Sequence, residues 1–134
     1  MLKEKAAVYY TPLYDYNCAE AMIYAANDVY ELNLSKDTLK VMAGFGGGMA
    51  VESTCGALAG GIAVLGILFV KEKAHESDQM KNLVTEFMNL FETRMGTIYC
   101  GELKDRYREE PPQKCRCVVE VAADILEKII VENN

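Results

Sequence analysis

The run from Ser53 to Val70 is eighteen residues long and carries no charge, and it limits the fold more than any other stretch. Eighteen residues is the lower edge of the length that spans a bilayer as a helix. Four of them are glycine (Gly56, Gly60, Gly61 and Gly66), the run opens with Ser53-Thr54-Cys55, and no second apolar span lies beside it. The segments around it are amphipathic. A helix from near Cys55 to about Lys73 or Ala74, apolar on every side and enclosed by other helices, is therefore preferred to a membrane span. Gly56 and Gly60, four residues apart, put a smooth strip on that helix. Such a strip lets another backbone come close, and it equally suits close approach of a cofactor.

The neighbouring segments read as the enclosing helices. Asn17 followed by Glu20 resembles a capping box, and Met22, Ala25, Ala26, Val29 and Tyr30 fall at helical spacing, which predicts a helix over about 17–32. Ser35 caps a short helix over about 36–43 that the glycine run Gly44-Phe45-Gly46-Gly47-Gly48 ends. Ser77 opens a helix whose stripe is Met80, Leu83, Val84, Phe87, Leu90 and Phe91, closed at Met95-Gly96. A short turn or helix over Tyr99–Tyr107 precedes the break at Pro111-Pro112. The last helix starts near Gln113 and carries Val118, Ala122, Ile125, Leu126, Ile129 and Ile130 on one face. No segment shows sustained period-two alternation. The expected fold is all-α: one domain over residues 1–134, a helical bundle of four long or medium helices around a buried Gly/Ala-rich central helix.

Charge and motif content narrow the function. Twenty acidic against fourteen basic residues, a net charge of −6, argue against nucleic-acid binding, which needs a basic footprint. Gly44-Phe45-Gly46 begins like a dinucleotide fingerprint, but Met49 stands where the third glycine belongs and no strand precedes it. The single histidine, His75, sits in a charged stretch at a helix end and reads as a solvated terminus rather than a base or ligand. The N-terminal segment lacks the apolar core of a signal peptide. A reducing cytoplasm is therefore expected, where thiols serve metal or redox chemistry rather than structural disulfides.

The chemistry thus falls to Cys18, Cys55, Cys100, Cys115 and Cys117. A cysteine used as a small hydrophobe belongs mid-helix on an apolar stripe. These do not. Cys18 follows the Asn17 cap, Cys55 and Cys115 open helices, and Cys100 comes just after a helix terminator. A helix start offers unpaired N–H groups and the positive end of the dipole, which favour a thiolate of lowered pKa, and hence a nucleophile or metal ligand. Lys104, Arg106, Arg108, Lys114 and Arg116, against three acids over 104–116, push the same way. The spacing contains no paired C-x₂-C knuckles, no ferredoxin run and no thioredoxin-type C-x-x-C. Any shared site has to be assembled by the tertiary fold, as an iron–sulfur cluster, a zinc site or a dithiol–disulfide pair.

Several segments together resemble a known family. They are Asn17-Cys18-Ala19-Glu20-Ala21, Gly44-Phe45-Gly46-Gly47-Gly48-Met49, Cys55-Gly56-Ala57-Leu58-Ala59-Gly60-Gly61, Tyr99-Cys100-Gly101-Glu102-Leu103, and Lys114-Cys115 leading to Val119, Ala122-Ala123 and Ile125-Leu126. In this order they are similar to the C_GCAxxG_C_C family of redox-active proteins, over about residues 14–130. The family label reads Gly-Cys-Ala-x-x-Gly; here Cys55-Gly56-Ala57 follows Thr54, the CGAxxG form. The resemblance implies a four-cysteine site of Cys18, Cys55, Cys100 and Cys115, with Cys117 as the alternative to Cys115. Cys115 is preferred because its distance to Val119 and Ala122-Ala123 fits the family better. Such proteins occur mainly in anaerobic bacteria and archaea, and a related domain appears in split-Soret cytochromes. This chain has no C-x-x-C-H, so haem attachment is not implied. The expectation is a small redox protein that holds an iron–sulfur cluster, with Gly56 and Gly60 beside it, and passes electrons to a redox partner protein. A structural zinc site and a metal-free thiol–disulfide protein are the alternatives. The apolar edges of the bundle also fit a homodimer.

Overall fold

The computed structural model describes residues 1–108 and 115–134. The described chain is all-α, with seven helices: α1 (Leu2–Tyr9), α2 (Cys18–Val29), α3 (Lys36–Leu39), α4 (Gly56–Phe69), α5 (Gln79–Met95), α6 (Cys100–Tyr107) and α7 (Arg116–Asn133). The uncharged run supplies the central helix, as expected. Gly56, Ala57, Leu58, Gly60, Gly61, Val64 and Leu65 of α4 are buried, and α2, α5 and α7 all pack on it. Among the described residues no helix is long and apolar enough to cross a membrane.

The central helix ends earlier than the expected Lys73 or Ala74. Val70 is already extended, and the Glu76 carboxylate accepts hydrogen bonds from the N–H groups of Lys71, Glu72 and Lys73 at 2.8–3.0 Å. Three donors held by one carboxylate turn the chain back before α5, in a segment too charged to follow α4 into the core.

The other boundaries follow capping chemistry. Asn17 and Glu20 form a reciprocal capping box, each side chain accepting from the other's backbone N–H at 2.9 Å. The α5 helix begins at Gln79, whose N–H reaches Ser77 Oγ at 3.3 Å, and it ends at Gly96, which takes φ +85° as a left-handed cap. The short helix expected over 36–43 is one α-turn, Lys36–Leu39, continued as a 3₁₀ turn to Gly44. The last helix begins at Arg116. The expected break at Pro111-Pro112 and start near Gln113, with Lys114, lie outside the described residues.

One helix has no counterpart in the sequence reading. The α1 helix buries only Leu2 and Ala6 and packs across α7 and α2, with its first N–H bonded to Glu127 Oε1 at 3.0 Å. Two buried positions among lysines and tyrosines make a weak pattern. Its position matters nonetheless, because Tyr10 is its C-cap.

Close packing of α2 on α4 runs through bare Cα atoms. A Cβ on Gly60 would meet the Ala19 carbonyl oxygen at 2.5 Å and Met22 Cβ at 2.9 Å, while one on Gly61 would meet the Phe87 ring at 2.6 Å. The obstruction at Gly60 includes backbone, so the helices would have to separate. Gly60→Ala is expected to destabilise the protein by about 1–3 kcal/mol, the usual cost of overpacking a core. The check is a lowered urea midpoint with an unchanged m-value.

Candidate functional site

Four helices begin at the same place in the molecule, each with a cysteine at its start. Cys18 is the first residue of α2, Cys55 the N-cap of α4, Cys100 the first residue of α6 and Cys115 the N-cap of α7. Cys115-x-Cys117 is the one close pair of thiols in the sequence, so tertiary contacts hold the four starts together. A single antiparallel bridge pairs Thr54 with Tyr99. Within it the Cys55 N–H donates to the Ile98 carbonyl at 2.8 Å and the Cys100 N–H to the Ser53 carbonyl at 2.6 Å. This bridge sets α4 and α6 side by side at their N-termini. Lys104 of α6 then reaches back to Glu52, Nζ to Oε2 at 3.3 Å.

The glycine run before α4 does more than stop a helix. Gly47, Gly48, Met49 and Ala50 take φ of +64°, +62°, +56° and +64°, a short left-handed turn, and Glu52 follows at +59°. A left-handed conformation costs a non-glycine residue roughly 1–2 kcal/mol. Surrounding contacts enforce it: the Ser53 N–H donates to the Gly48 carbonyl at 3.0 Å, and a Cβ on Gly48 would meet Ser53 N at 2.5 Å and Cys100 Cβ at 2.8 Å. Strain of this kind gathers at functional sites. The turn presents the Gly47 N–H to the Cys18 sulfur. Asn17 ties the same region to α2, its Nδ2 donating to the Ala43 carbonyl at 2.9 Å.

Cys18, Cys55, Cys100 and Cys115 line one cavity of about 470 Å³, together with Tyr10, Tyr16, Asn17, Gly47, Leu103, Lys104, Arg108 and Val118. Cys55 and Cys100 are buried, and Cys18 and Cys115 are partly buried. None of the five cysteines is in a disulfide. Cys117 stands elsewhere, in a separate hollow of about 210 Å³ with Lys3, Arg94, Arg116 and Glu120. Two residues apart on a helix start, Cys115 and Cys117 point about 200° apart, so one helix cannot aim both at one cavity. The two-residue spacing thereby separates Cys115 from Cys117.

The two glycines expected beside a cofactor do not line the cavity. Gly60 faces Ala19 and Met22 of α2. Gly56 admits the Cys18 sulfur, which lies 2.5 Å from where a Cβ would sit, and the Phe45 carbonyl. Both serve close packing, and in Gly56 the packing partner is itself a candidate ligand. His75 is exposed in the turn before α5, as the sequence reading expects of it.

The electrostatics differ from the expectation of low-pKa thiols. Burial raises all four, Cys55 to about 12, with the neighbouring Cys18 thiol adding to the effect on Cys55. Backbone N–H groups do oppose this: those of Gly47 in the left-handed turn and of Ala19 and Ala57 at helix starts favour a Cys18 thiolate, and those of Ala57 and Leu58 a Cys55 thiolate. Lys104 acts likewise on Cys100 and Cys115, and Arg108 on Cys115. Desolvation wins, because a buried thiol loses more solvation on ionising than these donors return. Tyr10, brought in by α1, sits near Cys115, Cys18 and Cys55, and burial pushes its phenol up as well. The sequence reading missed Tyr10 along with the helix that delivers it. It also missed the aromatic stack behind Tyr16, whose ring lies 4.2 Å from that of Tyr24 at an interplanar angle of 18°. Among the described residues no three His, Cys, Asp or Glu side chains are gathered closely enough to hold a single metal ion.

The family described as "Putative redox-active protein (C_GCAxxG_C_C)" matches residues 16–129, most of the chain, and the chain belongs to that family. Comparison with curated proteins and with solved structures finds no match.

The raised thiols fix a pH dependence for the reduced, metal-free protein. A folded-state pKa above the ordinary value of 9.0 stabilises the fold fully below that pH, and the contribution is lost as pH rises through the folded pKa. Urea midpoints are expected to hold up to about pH 9 and then fall towards pH 12, with a smaller fall in Cys55→Ala. Thiolate absorbance already present at neutral pH would contradict this.

Proposed function

We propose that this member of the C_GCAxxG_C_C family is a redox protein that holds an iron–sulfur cluster on Cys18, Cys55, Cys100 and Cys115 and exchanges electrons with a partner protein in a reducing cytoplasm. The observation that carries the reading is the arrival of four cysteines, from four separate helix starts, on one cavity that excludes the fifth. When bound, such a cluster supplies one-electron transfer at a potential set by its hydrogen bonds and surroundings. The chain's own residues fit that group. Four thiolates are a suitable donor set, and the helix N-termini with Lys104 and Arg108 offset the negative charge of a thiolate-ligated centre. The Gly47 N–H is positioned to donate to the Cys18 sulfur. Burial of Cys55 and Cys100 keeps water from the inner sulfurs.

Two observations favour this over the alternatives. A structural zinc ion draws its four sulfurs to about 2.3 Å from one point. Here the four thiols line a cavity of about 470 Å³, more space than one tetrahedral ion fills, which suits a larger centre. Disulfide exchange proceeds by thiolate attack, and the raised thiol pKa values leave little thiolate at neutral pH. Metal binding instead displaces the protons, so loading should strengthen as pH rises.

The test is anaerobic purification and reconstitution with iron and sulfide, followed by measurement of iron, acid-labile sulfide and visible charge-transfer bands. Serine at position 18, 55, 100 or 115 is expected to abolish or sharply reduce bound iron, and Cys117→Ser to leave it unchanged. A wild-type protein that takes up no iron while all its thiols titrate would overturn the reading.

A further inference from the structure

The cysteine cavity has a floor and a mouth of different chemistry. Its floor is buried: Cys55, Cys100, Leu103 and Val118. Its mouth is polar and more exposed, with Arg108 and Asp15 open to solvent and Thr11, Tyr16 and Lys104 partly buried. At about 470 Å³ the space is of the size that takes small organic ligands, roughly 300–1,000 Å³. On the cluster reading, a centre held by Cys18, Cys55, Cys100 and Cys115 would take up the space beside those thiols and leave the polar mouth.

We infer that the mouth binds a small organic anion, a carboxylate with an apolar body, with Lys104 and Arg108 as its charge partners and Tyr10 and Tyr16 among the walls. The charges decide the sign. Among the described lining residues two cations, Lys104 and Arg108, stand against one carboxylate, Asp15. Lys104 is also paired with Glu52, which is not among the lining residues. The N-terminal ends of α2, α4, α6 and α7 add positive potential at the same point, each equivalent to about half a charge. The aromatic rings give the body of such a ligand a face to lie on, and guanidinium and ammonium groups supply the donors its carboxylate needs. The site described above thereby gains a place for a substrate beside the redox centre, which separates an enzyme from a simple electron carrier.

The inference shares its cavity with the cluster reading, and the two are tested by separate measurements. Benzoate, benzamide and inorganic phosphate are titrated into the full-length, reduced, metal-free protein by calorimetry, while iron uptake is measured on its own. Saturable benzoate binding is expected, at least tenfold tighter than that of benzamide or phosphate. Lys104→Gln and Arg108→Gln are each expected to weaken it about tenfold. Lys128→Gln, an equal charge change on the exposed side of α7, should leave it within about twofold. Circular dichroism of each variant separates lost binding from lost fold. No saturable benzoate binding, equal binding of benzamide, tighter binding of phosphate, or folded Lys104 and Arg108 variants that bind like wild type would each overturn the inference. Benzoate binding without iron uptake would sink the cluster reading alone.

Discussion

The close contact of α2 with the start of α4 governs the rest of the arrangement. Side chains on Gly56 and Gly60 would drive the two helices apart: at Gly60 against the Ala19 carbonyl, at Gly56 against the Cys18 sulfur and the Phe45 carbonyl. Their absence lets Cys18 rest on the first turn of the helix that Cys55 caps. The Thr54–Tyr99 bridge then fixes α6, and with it Cys100, against the same point. The α7 helix packs on α4 and brings its N-cap Cys115 to the fourth side. One missing Cβ per turn and one two-residue bridge thus do what a local knuckle motif does in sequence-contiguous metal sites.

Such a site works against the stability of the metal-free protein. Four helix N-termini aimed at one cavity repel one another through their dipoles, and a left-handed turn with Met49, Ala50 and Glu52 at positive φ is held beside them. Buried neutral thiols relieve neither feature. A negatively charged occupant of the kind proposed above would relieve the first. The four helix starts therefore favour negative charge in the cavity, an arrangement consistent with the redox character of its family.

Much of this was legible in the sequence, for definite reasons. The charge-free run could only be a membrane span or an enclosed helix, and amphipathic neighbours decided between them. The Asn17–Glu20 box and Gly96 marked their helix ends because capping is local chemistry. The placement of cysteines at helix starts followed from those same boundaries. What stayed hidden depends on tertiary contact or on weak pattern. The α1 helix buries two residues and owes its place to α7 and α2, so Tyr10 could not be anticipated. The left-handed turn involves Met49 and Ala50, residues with no preference for it, and arises from the seat that Ser53 and Cys100 form around Gly48. The thiol pKa values went against expectation because dipole and N–H effects are visible in helix boundaries whereas burial is not.

The account rests on proximity of four sulfurs that the chain keeps far apart in order, and a bis-alkylating reagent of short span measures it directly. Applied to the reduced, metal-free protein under native conditions and read out by peptide mapping, it should join pairs drawn from Cys18, Cys55, Cys100 and Cys115 and leave Cys117 singly modified. Cross-links from Cys117 to any of the four, or no cross-link among the four in folded protein, would contradict the account.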